Sequence, residues 1–169
     1  PAAAKGVPII GVEPSCTAVL RSDLVELLPD DERSAQVAGA VRTLAELLTD
    51  PELGPGEDWS PPSLVGTTVI AQPHCHQHSV MGFDADAMLL ARTGAKVTQL
   101  AGCCGLAGNF GMEKGHYDVS VAVAENALLP ALRSAPPGAV YLADGYSCRT
   151  QAEQLAGTAG TTLAQLLLA

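Results

Sequence analysis

Aromatic residues make up only 4% of this 169-residue chain, so its core must be filled by Ala, Leu and Val. Lys and Arg form no cluster longer than a pair, and the formal net charge is -9. Electrostatic capture of nucleic acid or of an anionic membrane is therefore not expected as a main function. No run reaches the roughly 18–20 uninterrupted apolar residues of a membrane-spanning helix. A Gly-x-Gly-x-x-Gly fingerprint for a dinucleotide or flavin is missing, and so is any Cys-x-x-Cys of the thioredoxin or zinc-knuckle kind. Pro1-Ala2-Ala3-Ala4-Lys5-Gly6 has neither an initiator Met nor an apolar signal core, so a piece of a longer polypeptide is expected. The length predicts a single domain over 1–169, and the 47% hydrophobic content fits a packed globule.

What the chain does have is five cysteines: Cys16, Cys75, Cys103, Cys104 and Cys148. An odd number cannot be used up by disulfides, and neighbours such as Cys103 and Cys104 pair only with backbone strain. Reduced thiols in a cytoplasmic setting are expected.

Four short runs rich in Val and Ile each lead into a cysteine, and they read as buried strands. Val7–Val12 runs into Glu13-Pro14-Ser15-Cys16, and Thr67–Ala71 into Gln72-Pro73-His74-Cys75. Lys96–Leu100 runs into Ala101-Gly102-Cys103-Cys104-Gly105, and Ala139–Ala143 into Asp144-Gly145-Tyr146-Ser147-Cys148. Apolar spacing near 3.6 predicts helices over Gln36–Thr49, Asp84–Thr93, His116–Ser134 and Thr161–Leu168, with Pro130 interrupting the third. Pro51–Pro62 holds four prolines and reads as a loop. The alternation predicts an α/β fold: a parallel sheet of about four strands with flanking helices, and all five cysteines at the C-terminal strand ends, none within a helix stripe.

Several thiolates converging on one small volume suit iron–sulfur chemistry. Cys103-Cys104-Gly105 offers two from one tight turn, and Gly102 and Gly105 let backbone approach a bulky cofactor. Three other readings stand beside this one. Free cysteines are often plain buried hydrophobes. Zinc would be served by added imidazoles in His74-Cys75-His76-Gln77-His78, although a histidine next to a ligand is more often a hydrogen-bonding partner than a ligand. Thiol redox chemistry at Cys103-Cys104 or a reactive Cys16 is the third. Glu13, Glu113 and His116 are candidates for hydrogen bonding to cluster sulfurs or for solvated caps. Asp118 and Asp144 read as a helix-start acid and a turn residue. Arg149 is a candidate for balancing the negative charge of a thiolate-bound cluster. No residue stands out as catalytic.

Four motifs in order resemble the cysteine-rich (CCG) domain: Glu13-Pro14-Ser15-Cys16, His74-Cys75-His76-Gln77, Gly102-Cys103-Cys104-Gly105-Leu106-Ala107-Gly108-Asn109-Phe110-Gly111, and Asp144-Gly145-Tyr146-Ser147-Cys148-Arg149. That domain occurs in the iron–sulfur subunit of glycolate oxidase, in a subunit of heterodisulfide reductase and in FAD-linked oxidase/Fe–S fusion proteins. The Cys-Cys-Gly stretch followed by His116-Tyr117-Asp118 is most similar to the last group. The resemblance implies an electron-transfer domain of a flavin-linked D-2-hydroxy acid dehydrogenase, acting on D-lactate, glycolate or D-2-hydroxyglutarate. It implies Cys16, Cys75, Cys103, Cys104 and Cys148 as metal ligands, and a cluster of the 4Fe-4S kind lying against Gly102, Gly105 and Arg149. The terminal Cys-x-x-Cys of the heterodisulfide reductase form is not present after Cys148, which speaks for an ordinary four-iron cluster over a noncubane one. FAD is expected only on the rest of the parent chain, with a flavin dehydrogenase domain, a ferredoxin-like domain and an electron acceptor as partners. The isolated chain is expected to be inactive, and its location cytoplasmic, with attachment to the inner face of the membrane left open. A structural zinc-binding interaction domain is the alternative.

Overall fold

The computed structural model describes residues 1–168. The chain divides into two compact units, one made of Pro1–Ser60 with His76–Leu89, the other of Pro61–Cys75 with the chain from Leu90 onward.

In the first unit, β1 (Ile9–Gly11) runs straight into α1 (Pro14–Ala18). Glu13 caps this helix by accepting the Cys16 N–H at 3.0 Å, and Pro14 occupies the first helical position, where no intrahelical N–H bond is lost. Gly11 is needed because a Cβ there would run into the Thr17 side chain. A π-helical turn (Val19–Asp23), α2 (Leu24–Leu27) and α3 (Glu32–Ala40) follow. The next strand, β2 (Val41–Thr43), pairs in parallel with β1, Ile9 opposite Val41 and Gly11 opposite Thr43. The single helix expected over Gln36–Thr49 is thus two helices with a strand between them. The β-branched Val41 and Thr43 favour extension, and Thr43 with Glu46 makes a capping box that starts α4 (Leu44–Thr49) afresh. The Thr-x-x-Glu signal was in the sequence.

In the second unit, β3 (Thr68–Ala71) is central. The chain re-enters this unit through α5 (Asp84–Thr93), which has the bounds expected from the sequence, and continues into β4 (Lys96–Gln99). The predicted long helix over His116–Ser134 is α6 (Tyr117–Ala124) and α7 (Leu128–Ser134). Pro130 is the third residue of α7, where its missing N–H is one of the donors a helix start leaves unpaired anyway. β5 (Val140–Leu142), α8 (Tyr146–Ala156), β6 (Gly160–Thr161) and α9 (Leu163–Leu166) complete the unit. All four strands are parallel, in the order β4-β3-β5-β6. The expected α/β class and four-stranded parallel sheet are therefore present. Tyr141 is the one aromatic among the fully buried large side chains of this unit, beside Val69, Leu90, Leu128, Leu129 and Leu163.

Two expectations need correction. The strand before Cys16 does not join the four-stranded sheet: β1 pairs with β2 in a separate two-stranded sheet. Nor do the cysteines all stay off a helix stripe: Cys148, the third residue of α8, lies on its buried face, while Cys16, the third of α1, is exposed. α8 escaped the periodicity reading because its buried face is Ser147, Cys148, Gln151 and Ala152, two of them plainly polar.

Candidate metal centre

The register explains why three cysteine-bearing loops meet. Ala71, the last residue of β3, lies opposite Gln99 of β4 and Leu142 of β5, so the three strands end level. The ladder continues one step further, with Leu100 N–H donating to Ala71 O and Gln72 N–H to Leu142 O, at 2.8 and 2.9 Å. The loops that leave this edge carry Cys75, then Cys103 and Cys104, then Cys148.

Their thiols form an unbroken line. Cys75 is in side-chain hydrogen-bonding contact with Cys103, and Cys103 with Cys104. Cys104 in turn contacts Cys148. Along that line the thiols pass from water into the core: Cys75 is exposed, Cys103 half-buried, Cys104 3% exposed and Cys148 2% exposed. The inner pair packs in one apolar cluster with Ile70, Leu100, Leu106, Leu128 and Tyr141. Cys16 belongs to the other unit, where it is exposed and is the only cysteine.

Neighbouring thiols and burial raise the Cys103 and Cys104 thiols when nothing is bound. The Cys104 side chain raises the Cys103 thiol far above its ordinary value, and burial adds to this. For Cys104, the bond with Cys103 lowers the value, but Cys148 and burial outweigh it, and the thiol is pushed up to about 11. Burial, then the neighbouring Cys148 and Cys104, also raise Tyr141, whose hydroxyl donates to the Cys148 carbonyl at 3.3 Å. A thiolate-binding metal group brings positive charge among the sulfurs and takes its ligands as thiolates. The donor set, four sulfurs with imidazole only alongside, suits soft thiolate ligation and fits an iron–sulfur group. Among the described residues, no three His, Cys, Asp or Glu side chains already form a cage for a single ion.

The residues around the line have defined partners in the structure. Arg149 donates through Nη1 to Ala143 O and Asp144 O at 2.8 and 2.6 Å, so it ties down the end of β5. Asp144 receives the Leu163 N–H at 2.8 Å and holds the start of α9. Gly102 has φ +85° with open space around a Cβ, so its conformation alone calls for glycine. Gly105 has φ +96° and lies against the Ser120 carbonyl, which lets α6 approach the turn. His116 stacks on Phe110 with ring centroids 4.1 Å apart and sits 3.3 Å from Glu113. Glu113 also accepts from Asn109 at 2.9 Å.

Sequence reasoning missed Gln72 and Ser147. Gln72 is 3% exposed, and its Nε2 donates to Pro73 O at 3.1 Å and Gly102 O at 3.0 Å. His74 is 4% exposed, with Nε2 3.2 Å from Ser147 Oγ and Nδ1 3.8 Å from Cys75 Sγ. A long polar side chain next to a buried strand, in Ala71-Gln72-Pro73, was the available signal.

Fold and site together define a parallel α/β module whose sheet end carries a line of four neighbouring thiols. The chain is similar to D-2-hydroxyglutarate dehydrogenase of Escherichia coli (strain K12), 30% identical over 168 residues, covering 96% of this chain and 15% of the relative. The enzyme of the same name from Pseudomonas putida is 29% identical over 154 residues, 89% of this chain and 14% of the relative. A subunit of the anaerobic glycerol-3-phosphate dehydrogenase of Escherichia coli (strain K12) is 31% identical over 124 residues, 70% of this chain and 30% of that protein. The chain thus spans about 15% of the length of the D-2-hydroxyglutarate dehydrogenases it matches. No protein-family model matches it, and no solved structure does. No helix among the described residues is long and apolar enough to cross a membrane.

Proposed function

We propose that this chain is an electron-transfer segment of a flavin-linked dehydrogenase for D-2-hydroxy acids, holding one iron–sulfur cluster of the 4Fe-4S kind on Cys75, Cys103, Cys104 and Cys148. The observation that carries the reading is the unbroken line of four thiols in contact at one sheet end. Its relatives support the oxidoreductase setting, since both kinds are named as dehydrogenases or a subunit of one. D-2-Hydroxyglutarate is the substrate class those names favour for the parent protein.

The bound cluster would supply one-electron redox chemistry. The chain's own residues do the rest. Cys104 and Cys148 anchor the group in an apolar wall that keeps water from its inner side. Cys75, exposed, leaves the outer side within reach of a redox partner. Gly102 and Gly105 shape the turn that presents two sulfurs from adjacent residues. Arg149 acts at a distance, by fixing the strand end from which Cys148 departs. The flavin dehydrogenase domain and a ferredoxin-like domain of the parent protein are the partners that complete an electron path to an acceptor, in a cytoplasmic setting. Without them the chain turns over no hydroxy acid.

The test is optical. Protein prepared without oxygen and reconstituted with iron and sulfide should show broad absorption near ~400 nm that dithionite bleaches. A colourless protein carrying zinc would overturn the proposal in favour of a structural metal.

A further inference from the structure

The two loops that carry Cys75 and Cys103 are joined by one buried amide, and we infer that Gln72 is the positioning residue that sets their spacing. Resting on the proposed cluster-holding role for its purpose, this inference explains how four thiols stay aligned before anything binds.

Gln72 extends the β3 edge on both sides at once. Its backbone N–H reaches Leu142 O of β5 at 2.9 Å, while its side-chain Nε2 reaches Gly102 O, the residue before Cys103, at 3.0 Å. The same nitrogen donates to Pro73 O at 3.1 Å, which stiffens the path toward His74-Cys75. Two acceptors on one nitrogen also fix which end of the amide is which, because the reverse assignment would set oxygen against oxygen. The price is visible: Oε1 is buried with no hydrogen-bond partner. An apolar side chain of similar length would avoid that loss, so the value of an amide at this place lies in its donor end. A carboxylate could not substitute, since it accepts where donors are required and adds negative charge beside four sulfurs.

The next turn of the same loop repeats the device toward the third cysteine loop. His74 is buried against Gly145, where a Cβ would meet the imidazole ring, and its Nε2 pairs with Ser147 Oγ, the neighbour of Cys148. The segment Gln72-Pro73-His74-Cys75 therefore holds the β4 loop with one side chain and the β5 loop with another.

Thiol–disulfide exchange measures this spacing directly in the metal-free chain. Equilibrating the reduced protein with glutathione and its disulfide transfers two electrons. Each protein disulfide formed consumes one glutathione disulfide and releases two glutathione thiols. Mapping by peptide mass gives the effective concentration of Cys75 toward Cys103, the pair in contact in the structure. With Gln72→Met, nearly the same size but without donors, that effective concentration should fall about tenfold or more. The circular dichroism of the reduced protein should stay that of wild type. Gln72→Asn keeps an amide one methylene shorter and should fall between the two. Wild-type effective concentration in both variants would overturn the inference, and so would loss of the folded spectrum in both, since the role would then be general stability. Because no metal is present, absence of iron from the reconstituted wild type would overturn the proposed function without altering this result.

Discussion

Cys16 and Cys148 sit in the same local device and end in different places. Each follows a short parallel strand, comes directly after a serine, and occupies the third position of a helix. Each helix start is fitted by local chemistry: the Glu13 carboxylate and Pro14 for one, the Gly145 turn against His74 for the other. Yet Cys16 is exposed, in a unit with no second cysteine, while Cys148 is 2% exposed and in contact with Cys104. What separates them is the sheet. β1 has one partner, β2, and the helix that follows β2 directly carries no cysteine. β5 stands beside β3, which stands beside β4, and the loops of all three carry thiols. Local sequence builds the strand-to-helix turn, and strand neighbours decide whether its thiol finds others.

The largest effect that would break this comparison is on metal. Cys104→Ser and Cys148→Ser should each lose nearly all iron and sulfide on anaerobic reconstitution, because a hydroxyl is a poor substitute for a soft thiolate. Unchanged iron in either variant would remove that residue from the ligand set. The metal-free Cys148→Ser chain should also be less stable by about 1–3 kcal/mol in a urea melt, since a hydroxyl replaces a thiol inside an apolar cluster. Cys16→Ser, on an exposed position, should change that melt by about 0.5 kcal/mol or less.

Glycine at two close approaches, one in each unit, gives the next contrast. Gly105→Ala should cost about 1–3 kcal/mol, as φ +96° is strained for alanine and the new Cβ would meet the Ser120 backbone carbonyl. Gly11→Ala brings its Cβ against the buried Thr17 side chain, Thr17 Cβ included at 2.8 Å, but its φ is not positive, so the clash alone acts and the cost should be smaller. Equal costs in chemical denaturation would contradict the packing described for α6.

A smaller effect follows from the raised Cys103 and Cys104 thiols of the metal-free chain. Cys104 titrates at about 11 in the fold against 9.0 as its ordinary value. As the pH rises past 9, the unfolded chain loses this proton first, so stability held below about pH 9 is lost progressively toward pH 11. Cys103 is raised as well and acts in the same direction. The melting temperature of metal-free protein should therefore decline across this window, and Cys104→Ala should flatten the decline. A wild-type curve that is level from pH 8 to about 11 would contradict the burial of these thiols.

Much of this was legible in the sequence because strands ending in cysteine loops announce themselves by short Val/Ile runs closed with Pro or Gly. β3, β4 and β5, and with them the meeting of Cys75, Cys103, Cys104 and Cys148, follow from that pattern. The place of Cys16 was not legible, since β1 looks like the other strands and its partner β2 is three residues hidden inside a helical pattern. α8 was hidden for the opposite reason, a buried face made of polar and small residues: Gln151 Nε2 bonds Ser120 Oγ at 2.9 Å, a contact that no periodicity reveals. The supporting roles of Gln72, His74 and Arg149 depend on which carbonyls and hydroxyls lie opposite them across the loops, and only the three-dimensional register supplies that.

The most direct test of the central claim is the iron and acid-labile sulfide content of anaerobically reconstituted wild-type chain, with zinc measured on the same sample. Four thiols gathered for one 4Fe-4S group predict about four irons and about four sulfides per chain, with zinc near zero. One zinc per chain without sulfide, or iron that washes away without sulfide, would contradict it.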